Sequence, residues 1–189
     1  MTEQELLVDC LDRLNRAGVA YMLTGSMASA YWGVPRSTHD LDFVVRFGRA
    51  DVPSIVAAFQ ADYFLQEQSI LAAFEPPFQF NAIDTRSALK IDFWMLRDDR
   101  FEQQMFARRL SVALFGSPAW IATAEDVVLH KLYWHSLTPS DRQLHDAAGI
   151  AAVQGERLDV SYLRQWAGYL SIAALVEDIL AGRIGPKRT

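Results

Sequence analysis

A chain of 189 residues, 51% of them hydrophobic, is long enough to bury a core, and its single cysteine, Cys10, excludes an internal disulfide framework and a Cys-x-x-Cys metal or redox motif. The formal net charge of -5 argues against broad, non-specific nucleic-acid binding, which needs clustered positive charge, while leaving room for a local basic groove. No apolar run approaches the ~20 residues of a membrane span, and the acidic start MTEQELLVDC does not read as an export signal, so a cytoplasmic protein with no membrane partner is expected.

In chain order, Leu6, Leu7, Cys10, Leu11 and Leu14 recur at helical spacing and predict an amphipathic helix over residues 3 to 17, closed by Gly18. VAYML (19 to 23) reads as a strand, broken by Gly25-Ser26 and followed by a short helix that ends at Gly33. LDFVVRF (41 to 47) is a second strand, after which Asp51 and Pro53 open a helix to about residue 61. FQFNAI (78 to 83) and ALKIDFWML (88 to 96) are strand-like and flank the turn-prone Asp84, Thr85 and Arg86, so they predict a hairpin, and LSVALF (110 to 115) adds a further candidate strand. The last third is helical. Thr123-Ala-Glu-Asp126 resembles a capping box with Asp in place of Glu and starts a helix through Leu137; Pro139 and Ser140 begin another to about Val153, and Asp159 and Ser171 are expected to cap two more. The resulting expectation is a mixed-sheet α/β (α+β) core over residues 1 to 122 and a helical C-terminal part over residues 123 to 189.

The segment TGSMASAYWGVPRSTHDLDFVV carries chemistry. Residues two apart in a strand share a face, so Asp40 and Asp42 project together while Leu41 and Phe43 point to the core. Side-by-side carboxylates repel unless something positive lies between them, and hard divalent cations are held by one or two carboxylates together with substrate phosphates. Asp92, flanked by Ile91 and Phe93, faces the same side if its strand neighbours that of Asp42, and three such carboxylates suit a two-metal site for displacement at phosphorus. Gly25-Ser26 complements them: a glycine after a strand lets the backbone approach an anion, and the following helix start offers unpaired N–H groups.

The order of strand, Gly-Ser, short helix, Asp-Leu-Asp and a distal single Asp resembles the nucleotidyltransferase superfamily related to DNA polymerase beta. The form G-S-M-A-S-A-Y-W-G-V-P-R-S-T-H-D-L-D is similar, more particularly, to the AbiEii-like toxin branch of small bacterial nucleotidyltransferases. The resemblance spans about residues 19 to 150 and continues with Lys131 in EDVVLHKLYWHS and with Arg142 and Asp146 in DRQLHDAAGI; where the branch often has Lys-Asp and a further acid one turn on, this chain has His145-Asp146 and Gly149. It implies transfer of a nucleoside monophosphate from a nucleoside triphosphate to a hydroxyl of RNA, protein or a small molecule, with Mg²⁺ or Mn²⁺, two ions per site. By the same resemblance Asp40, Asp42 and Asp92 are metal ligands, with Asp92 also near the acceptor; Lys131 balances the triphosphate charge; Gly25, Ser26, Arg36, Thr38 and Asp146 belong to the nucleotide site; and an antitoxin protein is a possible partner.

Plainer readings stand beside these. Asp92 can instead pair with Lys90, two residues away on the same face, Arg36 can be a surface arginine, and Lys131 can snorkel from the apolar face of Val127, Val128, Leu132 and Tyr133. The four histidines, His39, His130, His135 and His145, have no metal-site spacing and are expected to be structural; Trp94 shares the Asp92 face and can stack on a base. A nucleotide- or partner-binding module with little turnover is the alternative to an enzyme.

Overall fold

The computed structural model describes residues 1–36 and 40–186. In chain order its elements are α1 (Glu3–Arg16), β1 (Ala20–Thr24), α2 (Gly25–Trp32), β2 (Leu41–Arg46), α3 (Val52–Phe59), β3 (Tyr63–Phe64), α4 (Glu67–Ala72), β4 (Gln79–Asp84), β5 (Lys90–Met95), α5 (Arg100–Arg108), β6 (Leu110–Leu114), β7 (Ser117–Ile121), α6 (Ala124–Leu137), α7 (Asp141–Gln154), α8 (Val160–Tyr169) and α9 (Ala173–Leu180).

The strands form one mixed sheet in the order β3-β4-β5-β2-β1-β7-β6. β2 pairs with β5 and β1 with β7 in parallel, and the remaining neighbours are antiparallel, including the expected β4–β5 hairpin. One face is aromatic: Phe43 and Phe80 stack on either side of Phe93 at centroid separations of 5.8 and 5.0 Å, and Tyr21 and Phe59 meet this stack edge-on. α1 buries Leu6, Leu7, Cys10, Leu11 and Leu14, starts in a Thr2–Glu5 capping box, and ends with Gly18 at φ 65°, the left-handed conformation a helix stop requires.

The sequence leaves several elements unpredicted. α5 is capped by Asp99, which accepts from the N–H groups of Phe101 and Glu102, and β7 completes a hairpin with β6 through Gly116. β3 and α4 are short, two and six residues, below the length at which periodicity is readable. Ser171 does not cap α9: it has φ 60°, and Ile172 occupies the N-cap position.

The chain divides into two compact units, Met1–Thr24 with Thr38–Ile121 and Gly25–Ser37 with Ala122–Thr189. The first contains the whole sheet with α1, α3, α4 and α5; the second contains α2 and α6 to α9, so residues 25–37 group with the helices rather than with the core to which the sequence reading assigned them.

In the helical unit α6 is surrounded by α2, α7, α8 and α9, and it is accordingly buried on several sides. Thr123 caps it by accepting from the Asp126 N–H, and the fully buried Asp126 carboxylate accepts from the hydroxyls of Thr123 and Tyr162 at 2.8 and 2.6 Å instead of reaching back to the backbone. Gly33 allows the end of α2 to approach α7 backbone to backbone: a Cβ there would lie 2.8 Å from the Ile150 nitrogen and 3.0 Å from the Gly149 carbonyl carbon. Gly33→Ala is therefore expected to lower stability by about 1–3 kcal/mol in urea unfolding. Gly168→Ala, at an exposed position of α8 with nothing within 4 Å, is expected to raise it by up to ~1 kcal/mol.

Candidate functional site

In the sheet unit, parallel pairing sets Asp42 directly opposite Asp92. Leu41 and Phe43 are fully buried, so alternation turns Asp42 to the other face; Asp40 lies exposed just before β2 begins. Registers on either side extend this pair into a polar row across four strands, Asn81 on β4, Asp92, Asp42 and Thr24 on β1. The Lys90 ammonium reaches Asp92 Oδ2 at 2.8 Å, the pairing the sequence left open. That hydrogen bond holds the Lys90 amine above the ordinary lysine range despite partial burial, and the charges of Asp92, Asp40 and Asp42 act in the same direction.

Two buried oxygens beside this cluster, Asp92 Oδ1 and Thr24 Oγ1, have no hydrogen-bond partner among the described residues. Buried carboxylate oxygens are normally satisfied, so an orphan on Asp92 fits a cation or a hydroxyl as its complement. Among the described residues no three Asp, Glu, His or Cys side chains converge into a protein-only metal cage. The donor set nonetheless suits Mg²⁺ or Mn²⁺, which take one or two carboxylates and complete their shell with phosphate oxygens and water. Trp94 stands one step along β5 on the Asp92 face, half-buried and opposite Val44.

The helical unit holds a second polar cluster. Gly25 opens α2 at φ 62°, where a side chain would be strained, and Ser26 follows in the first turn with 5% exposure. Arg36 grips Asp146 with both ends of its fork, Nε to Oδ1 at 2.8 Å and Nη2 to Oδ2 at 2.9 Å, and Nη2 also donates to Ser26 Oγ at 2.8 Å. Lys131 Nζ lies 2.9 Å from Asp146 Oδ2, with the two side chains only 6% and 8% exposed. Burial alone would raise the Asp146 carboxyl; the Arg36 hydrogen bonds and the Lys131 charge outweigh it, and the group lies below its usual value. Thus Ser26, Arg36, Lys131 and Asp146 form one network, and neither a loose surface Arg36 nor a snorkelling Lys131 describes them.

Thr38 and His39 lie outside the described residues. His130 Nε2 accepts from the Trp134 indole and His135 Nδ1 from the Ser140 N–H, structural roles for both. The sequence reading missed Thr24 and Asn81; the signal for Thr24 is its place as the last strand residue before Gly25, whereas Asn81 becomes meaningful only through the β4–β5 register.

No protein-family model matches the sequence, and no curated protein matches it. Solved structures do match in three dimensions. The antibiotic-resistance factor ANT(2'')-Ia, in its solution structure, superposes with a TM-score of 0.60 at 16% identity, over 92% of this chain and 94% of that one. ANT(2'')-Ia in complex with adenylyl-2''-tobramycin gives 0.56 at 12% identity, over 97% and 99%. An antigenic nucleotidyltransferase-like protein from Paracoccidioides brasiliensis gives 0.55 at 12% identity, over 98% and 94%. The chain has the nucleotidyltransferase fold. Within that fold the mixed sheet carries the carboxylates and the helical part carries the Arg36–Asp146–Lys131 network.

Asp146→Asn should remove the buried charge that Arg36 and Lys131 share and lower stability by about 3 kcal/mol at neutral pH. Because the folded-state carboxyl is depressed, its contribution is complete above the unfolded value of ~4 and is lost as pH falls through the lower folded value. The wild-type advantage over the variant, followed by urea midpoints from pH 6 downward to about 2, should therefore shrink only below about pH 4.

Proposed function

We propose that this protein is a metal-dependent nucleotidyltransferase that moves a nucleoside monophosphate from a nucleoside triphosphate to a hydroxyl acceptor. The observation that carries the reading is the register of Asp42 against Asp92 on adjacent parallel strands, with an unpartnered buried oxygen on Asp92. Nothing in a packed sheet is gained by setting two carboxylates side by side, whereas cation chemistry at phosphate needs that arrangement.

In this reading Asp40, Asp42 and Asp92 would hold the divalent cations, Mg²⁺ or Mn²⁺ and two per site, whose chemistry is to neutralise the triphosphate and polarise its phosphorus. Asp92 takes the proton of the acceptor hydroxyl through the oxygen that makes no hydrogen bond. The acceptor oxygen bonds to the α-phosphorus, the bond to the bridging oxygen breaks, and pyrophosphate leaves with that electron pair. The α2 start at Gly25, the Ser26 hydroxyl and the Arg36 fork would contact the triphosphate, Lys131 would balance its charge, and Asp146 keeps both cationic side chains aimed; Thr38 joins this set by the sequence resemblance alone.

A small-molecule hydroxyl is the acceptor proposed first, since one structural neighbour is named an antibiotic-resistance factor and was solved with an adenylylated aminoglycoside. The resemblance of residues 25–42 to the toxin branch motivates RNA and protein acceptors, and an antitoxin partner, as the second arm. The test incubates the purified protein with each α-labelled nucleoside triphosphate, Mg²⁺ or Mn²⁺, and separate pools of aminoglycosides and other small hydroxyl compounds, of small RNA, and of protein. Label should appear on one pool, and Asp42→Asn should reduce it by about 1,000-fold, the worth of several kcal/mol of charge stabilisation. Label that persists undiminished in Asp42→Asn would overturn the assignment, and nucleotide binding without label on any pool would favour a binding module.

A further inference from the structure

The Lys90 ammonium already does, in part, what a metal ion would do. It is 2.8 Å from Asp92 Oδ2, and Asp40 and Asp42 lie within electrostatic reach of the same charge. Lys90 is one of only three lysines in the chain, against fifteen arginines among its 18 basic residues. It is also the first residue of β5, next to the residue that follows the hairpin turn, so its Cα is fixed by the sheet while its side chain remains 48% exposed and able to swing. On the partner strand the register opposite Lys90 is Ile83, which offers no carboxylate to hold it elsewhere.

We propose that Lys90 is an intrinsic counterion of the carboxylate cluster: it pairs with Asp92 beside Asp42 in the metal-free protein and is exchanged for the divalent cation when that binds. The proposal deepens the metal reading given above and rests on it. Its physical basis is competition for one set of oxygens: a monovalent ammonium that is tethered two residues away is always present, yet its single, half-exposed charge holds the carboxylate less strongly than a divalent cation with phosphate ligands, which displaces it. Lys90 is a positioning residue, acting on the cation only through Asp92. The exchange leaves the ammonium beside the site rather than in it, so Asp92 passes from one cation to the other.

The experiment is titration of the full chain with Mn²⁺ alone, without nucleotide, read by the loss of the free-ion electron paramagnetic resonance signal. Lys90→Met removes the ammonium while keeping the apolar stem, and Lys90→Arg keeps the charge. Lys90→Met is expected to bind Mn²⁺ about fivefold tighter than wild type, and Lys90→Arg to bind as wild type does. In thermal unfolding with a chelator present, Lys90→Met should melt below wild type, and saturating Mn²⁺ should raise its Tm by more. Equal Mn²⁺ affinity in wild type and Lys90→Met overturns the counterion role while leaving the metal site standing. Absence of Mn²⁺ binding in all three proteins overturns the metal reading itself, and the counterion proposal with it.

Discussion

Two like charges set opposite each other on adjacent parallel strands are the constraint around which the sheet unit is arranged. Asp42 and Asp92 cannot separate, because Leu41, Phe43, Ile91 and Phe93 on the reverse face are locked into the aromatic core and a slip of one residue would turn those side chains outward. The repulsion is met by position rather than by distance. Lys90 enters from the same strand at the start of β5, and the hydrogen-bonded ladder that forces the carboxylates together also anchors the cation that offsets them.

The helical unit solves the opposite problem. There two cationic side chains, Arg36 and Lys131, converge on one buried carboxylate. A bare pair of cations at that depth would be expelled or neutralised, and Asp146 gives both a fixed geometry through a bidentate fork and a point contact. Each unit thus supplies its own counter-charge, Lys90 on Asp92 in the sheet unit and Asp146 between Arg36 and Lys131 in the helical unit.

Much of this was legible because the relevant signals are local. The alternation of Leu41, Asp42 and Phe43, the same pattern around Asp92, and the Gly25-Ser26 break each depend on a few neighbouring residues, and β1, β2, β4 and β5 follow from them. The facing of Asp42 and Asp92 was conditional on strand adjacency, which no local pattern states, and the β2–β5 pairing supplies it. What escaped had no local signature. The grouping of residues 25–37 with α6 and α7 depends on Gly33 meeting Ile150, more than a hundred residues away, and the clamp on Asp146 depends on Arg36 at a similar separation. The SPAWI strand carries a proline, which counts against a strand by propensity, yet β1 pairs with β7 only at Ile121, so Pro118 has no ladder partner on that side to which its missing N–H would donate.

The chain passes between its two units at three places, after residues 24, 37 and 121. The helical unit is consequently not a tail that could have been joined to a sheet protein by one fusion event. Its first helix, with Ser26 and Arg36, is an insertion between the sheet strands β1 and β2, and the remainder follows β7. A gene cut at residue 122 would separate Arg36 from Asp146, so a swap of the C-terminal helices between relatives must preserve a match to a residue encoded 110 codons upstream of Asp146.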